Sequence, residues 1–155
     1  MTSRRLAGLL IGLLALGGCD WDVTQFVLYP SVEQRVQESL GLPAPEPPVV
    51  NPDSFRFALF GDPQVRADLV HRLGRFTTDV ADSGIAFFGV LGDLTHDATE
   101  IEVHTMRAAF DSTGIPYYTT IGNHDLFQAG AWERCKEVFG PATYSVVIAD
   151  RLKLI

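Results

Sequence analysis

Ile85-Ala86-Phe87-Phe88-Gly89-Val90-Leu91-Gly92-Asp93 is one apolar run closed by a Gly-Asp pair. A short run with no polar alternation suits a strand buried on both faces, and such strands belong to parallel sheets covered by helices. Working outward, Phe55 to Phe60 is a second apolar run, closed by Gly61-Asp62, and Ile115 to Ile121 is a third, closed by Gly122-Asn123. The segments between them have helical period. Arg66 to Ser83 carries Leu69, Leu73, Phe76 and Val80 on one stripe, and Thr99 to Ser112 carries Val103, Met106 and Phe110. Gly130 to Phe139 suits a shorter helix. Strands alternating with helices predict an α/β fold with a parallel sheet built by right-handed crossovers. Tyr144 to Ala149 and Arg151 to Ile155 read as two further strands around a tight turn at Asp150. The last run has no cap or turn after it, so the chain is expected to be truncated, because domains close their own cores.

The 155 residues leave room for one domain, and 46% hydrophobic with 20% charged residues is ordinary globular composition. A net charge of -7 argues against a nucleic-acid backbone as partner, since such binding depends on Lys and Arg neutralising phosphates. A phosphate substrate is not excluded, because bound metal ions reverse the field inside a small site.

The N-terminus reads as an export signal. Arg4 and Arg5 precede an apolar stretch, Leu6 to Leu16, that is short for a bilayer, and Leu16-Gly17-Gly18-Cys19 follows. Small residues before a cysteine at that place resemble a bacterial lipobox, which implies cleavage before Cys19 and a lipid on Cys19. A plain signal peptide, or a weak anchor with an incidental cysteine, is the alternative. The expected division is a signal peptide over 1–18, a lipidated Cys19 with a Pro-rich tether over 19–54, and the domain over 55–155. Within the tether, Val32 to Leu40 suits a short helix, and Leu42-Pro43-Ala44-Pro45-Glu46-Pro47-Pro48 excludes helix and central strand, because proline fixes φ and lacks the amide donor. The expected location is the cell envelope, lipid-anchored on the outer face of the inner membrane or in the outer membrane. With Cys19 lipidated, Cys135 has no partner in the chain and reads as a half-buried thiol on a helix.

Three strands close in the same way, with Asp62, Asp93 and Asn123 following a glycine. Asp62 and Asp93 are 31 positions apart and Asp93 and Asn123 are 30 apart, each one strand-helix crossover. Their oxygens are therefore expected at one carboxyl edge, where open α/β sheets bind ligands. Each preceding glycine is expected to allow a sharp turn. Any one Gly-Asp is a common turn pair, but three in phase are not readily explained as turns alone. Two carboxylates and an amide oxygen are hard donors that suit divalent cations, and without a cation converging carboxylates repel.

The third closure continues as Gly122-Asn123-His124-Asp125, and here the sequence resembles the calcineurin-like metallophosphoesterases. The resemblance runs from Phe55 to Ile155 and implies the N-terminal half of a metallophosphoesterase domain, a partial αββα sandwich. It implies a hydrolase of phosphate esters (phosphodiester, pyrophosphate or phosphomonoester) acting through a metal-bridging hydroxide, with two divalent ions among Mn, Fe and Zn. Asp62 would bind the first metal, Asp93 would bridge the two, and Asn123 would bind the second. His124 matches the catalytic histidine that contacts the phosphate. Asp125 would either hold that imidazole's tautomer or cap the next helix. Gln64 departs from the pattern, standing where Asp-x-His is usual; some members carry Asp-x-Gln, which suggests a subgroup that favours Mn. His96 is either a compensating metal ligand, direct or through water, or a loop histidine at the cleft rim. The other class of function is a non-catalytic or inactive truncated binding module on a lipid anchor.

Overall fold

The computed structural model describes residues 30–66 and 70–155, residues 70–73 by their backbone alone. The expected signal peptide over 1–18 and Cys19 lie outside the described residues. In chain order the elements are α1 (Val32–Leu40), β1 (Phe57–Phe60), α2 (Val70–Asp82), β2 (Phe87–Leu91), α3 (Glu100–Ser112), β3 (Tyr117–Thr120), a 3₁₀ turn (His124–Leu126), α4 (Ala131–Phe139), β4 (Val146–Ile148) and β5 (Leu152–Leu154). The α/β class holds: β1, β2 and β3 form one parallel sheet in that order, with β2 in the middle.

One sheet face is packed by helices. Phe88 and Val90 meet Met106 and Phe110 of α3, and Phe60, Phe76 and Tyr117 close around them. The rings interlock edge to face, Phe76 on Phe88 at 5.9 Å and Phe88 on Phe110 at 5.5 Å, an arrangement that adds quadrupole attraction to apolar burial. Thr99 starts α3 with a capping box, bonding the Glu102 amide while Glu102 bonds back, so two orphan donors are met locally. On the other face Phe87 and Tyr118 are covered by the β4–β5 hairpin, a separate antiparallel pair turned by Ala149 and Asp150, both at positive φ. That cover is incomplete. Phe57, Leu59 and Leu91 remain exposed, so β2 is buried from Phe87 to Val90 as expected but not at Leu91.

The tether differs from expectation. Ser31 caps α1 by accepting from the Gln34 amide, and Glu38 on α1 accepts from Trp132 Nε1 at 2.6 Å and pairs with Lys136, both on α4. Ser39 is buried and accepts from the Ala142 amide, and the Glu46 carbonyl accepts from the Tyr118 hydroxyl at 3.0 Å. Residues 31–46 are thus laid against the domain instead of standing free. A Pro-rich segment cannot join a sheet, but its carbonyls still accept hydrogen bonds, and Glu38 near the end of α1 finds one cation, Lys136, on α4. Among the described residues no helix is long and apolar enough to cross a membrane.

Candidate metal centre

The register brings the three closures to one rim. Phe60 lies beside Val90, and Leu91 beside Thr120, so Asp62, Asp93 and Asn123 leave adjacent strands at the same edge. Pairing continues past the strand ends: the Asp62 amide donates to the Gly92 carbonyl at 3.3 Å, Gln64 to Asp93 at 2.9 Å and Val65 to Leu94 at 3.2 Å. The loops after β1 and β2 are therefore zipped together by backbone. That zipper carries the Gln64 side chain to Asp93, its amide nitrogen donating to Oδ2 at 3.4 Å. Oδ1 of the same carboxylate accepts from the His124 amide at 3.0 Å. Asp93, only 8% exposed, is where all three loops meet. Asp62 and Asn123 stand exposed on either side of it.

The turns are made differently from expectation. Of the three glycines only Gly92 has positive φ, at 80°; Asp62, Gln64 and Asp93 themselves are left-handed, at 53°, 40° and 48°. Aspartate tolerates that region better than most residues, whereas glutamine has no such ease, so the first closure stores backbone strain of the kind found at ligand sites. Gly122 serves another purpose. A Cβ there would lie 2.0 Å from Asp93 Oδ1 and 2.4 Å from the Asp93 amide nitrogen, so glycine is required because Asp93 rests against it.

Asp125 fills neither of its expected roles. Its carboxylate, fully buried, accepts from the Leu94 amide (3.0 Å), the Thr95 amide (2.8 Å), the Thr95 hydroxyl (2.9 Å) and the Gly122 amide (3.0 Å). It neither holds the imidazole nor caps a helix; it fastens the loop after β2 to the loop after β3. Burial pushes its pKa up, and the amides of Gly122, Thr95 and Leu94 with the Thr95 hydroxyl pull it back. Thr95, which sequence reasoning missed, is the counterpart, and its hydroxyl also accepts from the Ala98 amide. The imidazole is held elsewhere: His124 Nδ1 bonds the main-chain carbonyl of His96 at 2.8 Å. His96 is half-buried, not an exposed rim residue. His104 is exposed on α3, away from the rim. Cys135 is fully buried, not half-buried, and its thiol points to the Asp125 carbonyl at 3.5 Å.

The donor chemistry at the rim suits a hard divalent cation. Two carboxylates and the amide oxygens of Gln64 and Asn123 are oxygen donors, and turning the Gln64 amide over would offer its oxygen where its nitrogen now faces Asp93. Among the described residues no three His, Cys, Asp or Glu side chains gather as a metal cage, so the amides are needed to complete the donor set.

A family model described as calcineurin-like phosphoesterase matches residues 55–155. No curated protein and no solved structure matches the chain significantly. Members of this family typically bind divalent metals, and the match supports a phosphoesterase-type function and a metallophosphoesterase-type arrangement of sheet and helices. With the family model spanning all three strands and their converging closures, the chain belongs to the calcineurin-like phosphoesterase family.

Proposed function

We propose that this protein hydrolyses phosphate esters at the rim formed by Asp62, Gln64, Asp93 and Asn123, with His124 serving the phosphoryl oxygens. The observation that supports this most is the position of Asp93 on the central strand, nearly buried and touched from both sides by Gln64 and His124. Asp62, Gln64, Asp93 and Asn123 would hold two divalent cations, manganese before iron or zinc, because the set is all oxygen and has neither thiolate nor imidazole. When bound, the cations supply an activated water and neutralise charge on the phosphoryl group. Asp93, flanked by Asp62 and Asn123, would be the carboxylate that serves both ions. His124 donates through Nδ1 to a carbonyl, which leaves Nε2 free to contact the substrate; in the imidazolium form Nε2 would also carry a proton, which would pass to the leaving oxygen as its bond to phosphorus breaks. Backbone zipping of the loops keeps these groups aligned before substrate arrives.

The test uses the full chain, stripped of metal and resupplied with manganese, against p-nitrophenyl mono- and diesters. Activity is expected with manganese and lost on Asp93→Asn by at least about 10²-fold, the usual order for removing a group that stabilises transition-state charge. Silence with every metal would overturn the enzyme reading. Among the described residues fewer than three acidic, His or Cys groups gather, which favours a second reading, a non-catalytic module that binds one cation weakly. We further propose a lipid on Cys19 that places the chain in the cell envelope, with the membrane as partner; Cys19→Ala should then move it from the membrane to the soluble fraction.

A further inference from the structure

His124 is gripped on three sides. Its Nδ1 meets the His96 carbonyl at 2.8 Å, its ring lies over the His96 ring at 5.3 Å and 27°, and it touches Phe127 at 4.3 Å between centroids. The carbonyl cannot drift. His96 donates its amide to Val65 at 3.1 Å, Val65 donates to Leu94 at 3.2 Å, and Asp125 pins the intervening Thr95. A carbonyl only accepts, so the nitrogen facing it must carry the proton in the neutral ring, leaving the lone pair on Nε2.

The His96 ring itself makes little use of its polarity. Its Nδ1 is buried with no hydrogen-bond partner among the described residues, while its flat face lies against the His124 ring. We propose that His96 is a positioning residue for His124: its carbonyl selects the tautomer, and its ring face holds the plane of the catalytic imidazole. This rests on the reading that His124 serves the phosphoryl oxygens. It makes position 96 a stacking position, where a flat apolar ring does the same work and a metal ligand is not needed.

The experiment compares the full-length wild type with His96→Phe, His96→Ala and His124→Ala. Nitrogen NMR of the metal-free protein should show His124 protonated at Nδ1 in the wild type and in both His96 variants, because the main-chain carbonyl stays, and its ring signals should broaden only in His96→Ala, where the stacked face is lost. With manganese, His96→Phe should keep activity within about threefold, and His96→Ala should lose about tenfold on an alkyl phosphodiester but much less on the p-nitrophenyl ester, whose leaving group needs no proton. Metal content should be unchanged throughout. The proposal is overturned if wild-type His124 carries its proton on Nε2, if His96→Phe is as impaired as His96→Ala, or if either variant loses an equivalent of metal. Equal losses of His124→Ala on both esters would remove the acid role from the function reading, while the nitrogen spectra would still decide for or against His96.

Discussion

The Asp125 carboxylate, on the turn after β3, holds Thr95 on the loop after β2, at 2.8 Å to its amide and 2.9 Å to its hydroxyl. With Leu94 and Gly122 also donating, one buried side chain satisfies donors on both loops that frame Asp93. Asp125→Ala strands the buried amides of Leu94 and Thr95 and the half-buried amide of Gly122 at once. Each unsatisfied group costs about 1–3 kcal/mol, so a loss of about 3–5 kcal/mol is expected, measured as a lower denaturation midpoint at unchanged slope. Thr95→Val removes two hydrogen bonds, the one given to Asp125 and the one accepted from the buried Ala98 amide, and should cost about 2–3 kcal/mol.

Gly122→Ala pushes a methyl into Asp93. The contact at 2.4 Å is with backbone nitrogen, so rotation of the Asp93 side chain cannot relieve it, and the rim must open. Activity should fall by about 10²-fold or more, since a misplacement near 1 Å is enough for that. Gly74→Ala is the control. It lies in α2 with nothing within 4 Å of the added carbon, and should raise stability by about 0.5–1 kcal/mol.

Glu38 makes the docking of the N-terminal arm pH-dependent. Hydrogen bonds from Lys136, then Trp132, then Gln34 lower its pKa from 4.5 to about 2. A carboxyl whose pKa is depressed on folding contributes stability above its ordinary range and loses it as pH falls through the folded value. The arm should therefore stay docked above pH 4.5 and loosen as pH drops toward about 2. Pepsin cleavage within residues 42–50 across that window measures it, and Glu38→Gln should flatten the dependence.

Cys135 should be inert in the folded protein. Burial, with the Asp125 charge beside it, pushes its thiol up to about 12, so almost no thiolate exists at pH 8. Iodoacetamide should label it only after denaturant is added. Labelling at a rate matching Asp125→Ala unfolding would tie it to the opening of the same two loops.

What the sequence by itself determined is the part that depends on period and order. The apolar runs at 55–60, 85–91 and 115–121, each closed by glycine and an oxygen-bearing residue, imply three parallel strands and a common rim, because side-chain periodicity and crossover length are local properties. The tertiary structure decided everything that needs two distant segments side by side. Asp125 lies 30 positions from Thr95, so no local pattern says that its carboxylate fastens a neighbouring loop instead of orienting the adjacent histidine. His124 Nδ1 meets a main-chain carbonyl, a group present at every residue and therefore invisible in the letters. Glu38 finds Trp132 and Lys136 almost a hundred residues away, which turns an expected spacer into a docked arm. Local chemistry chooses where chain elements form; only their packing chooses which polar groups they hand to one another.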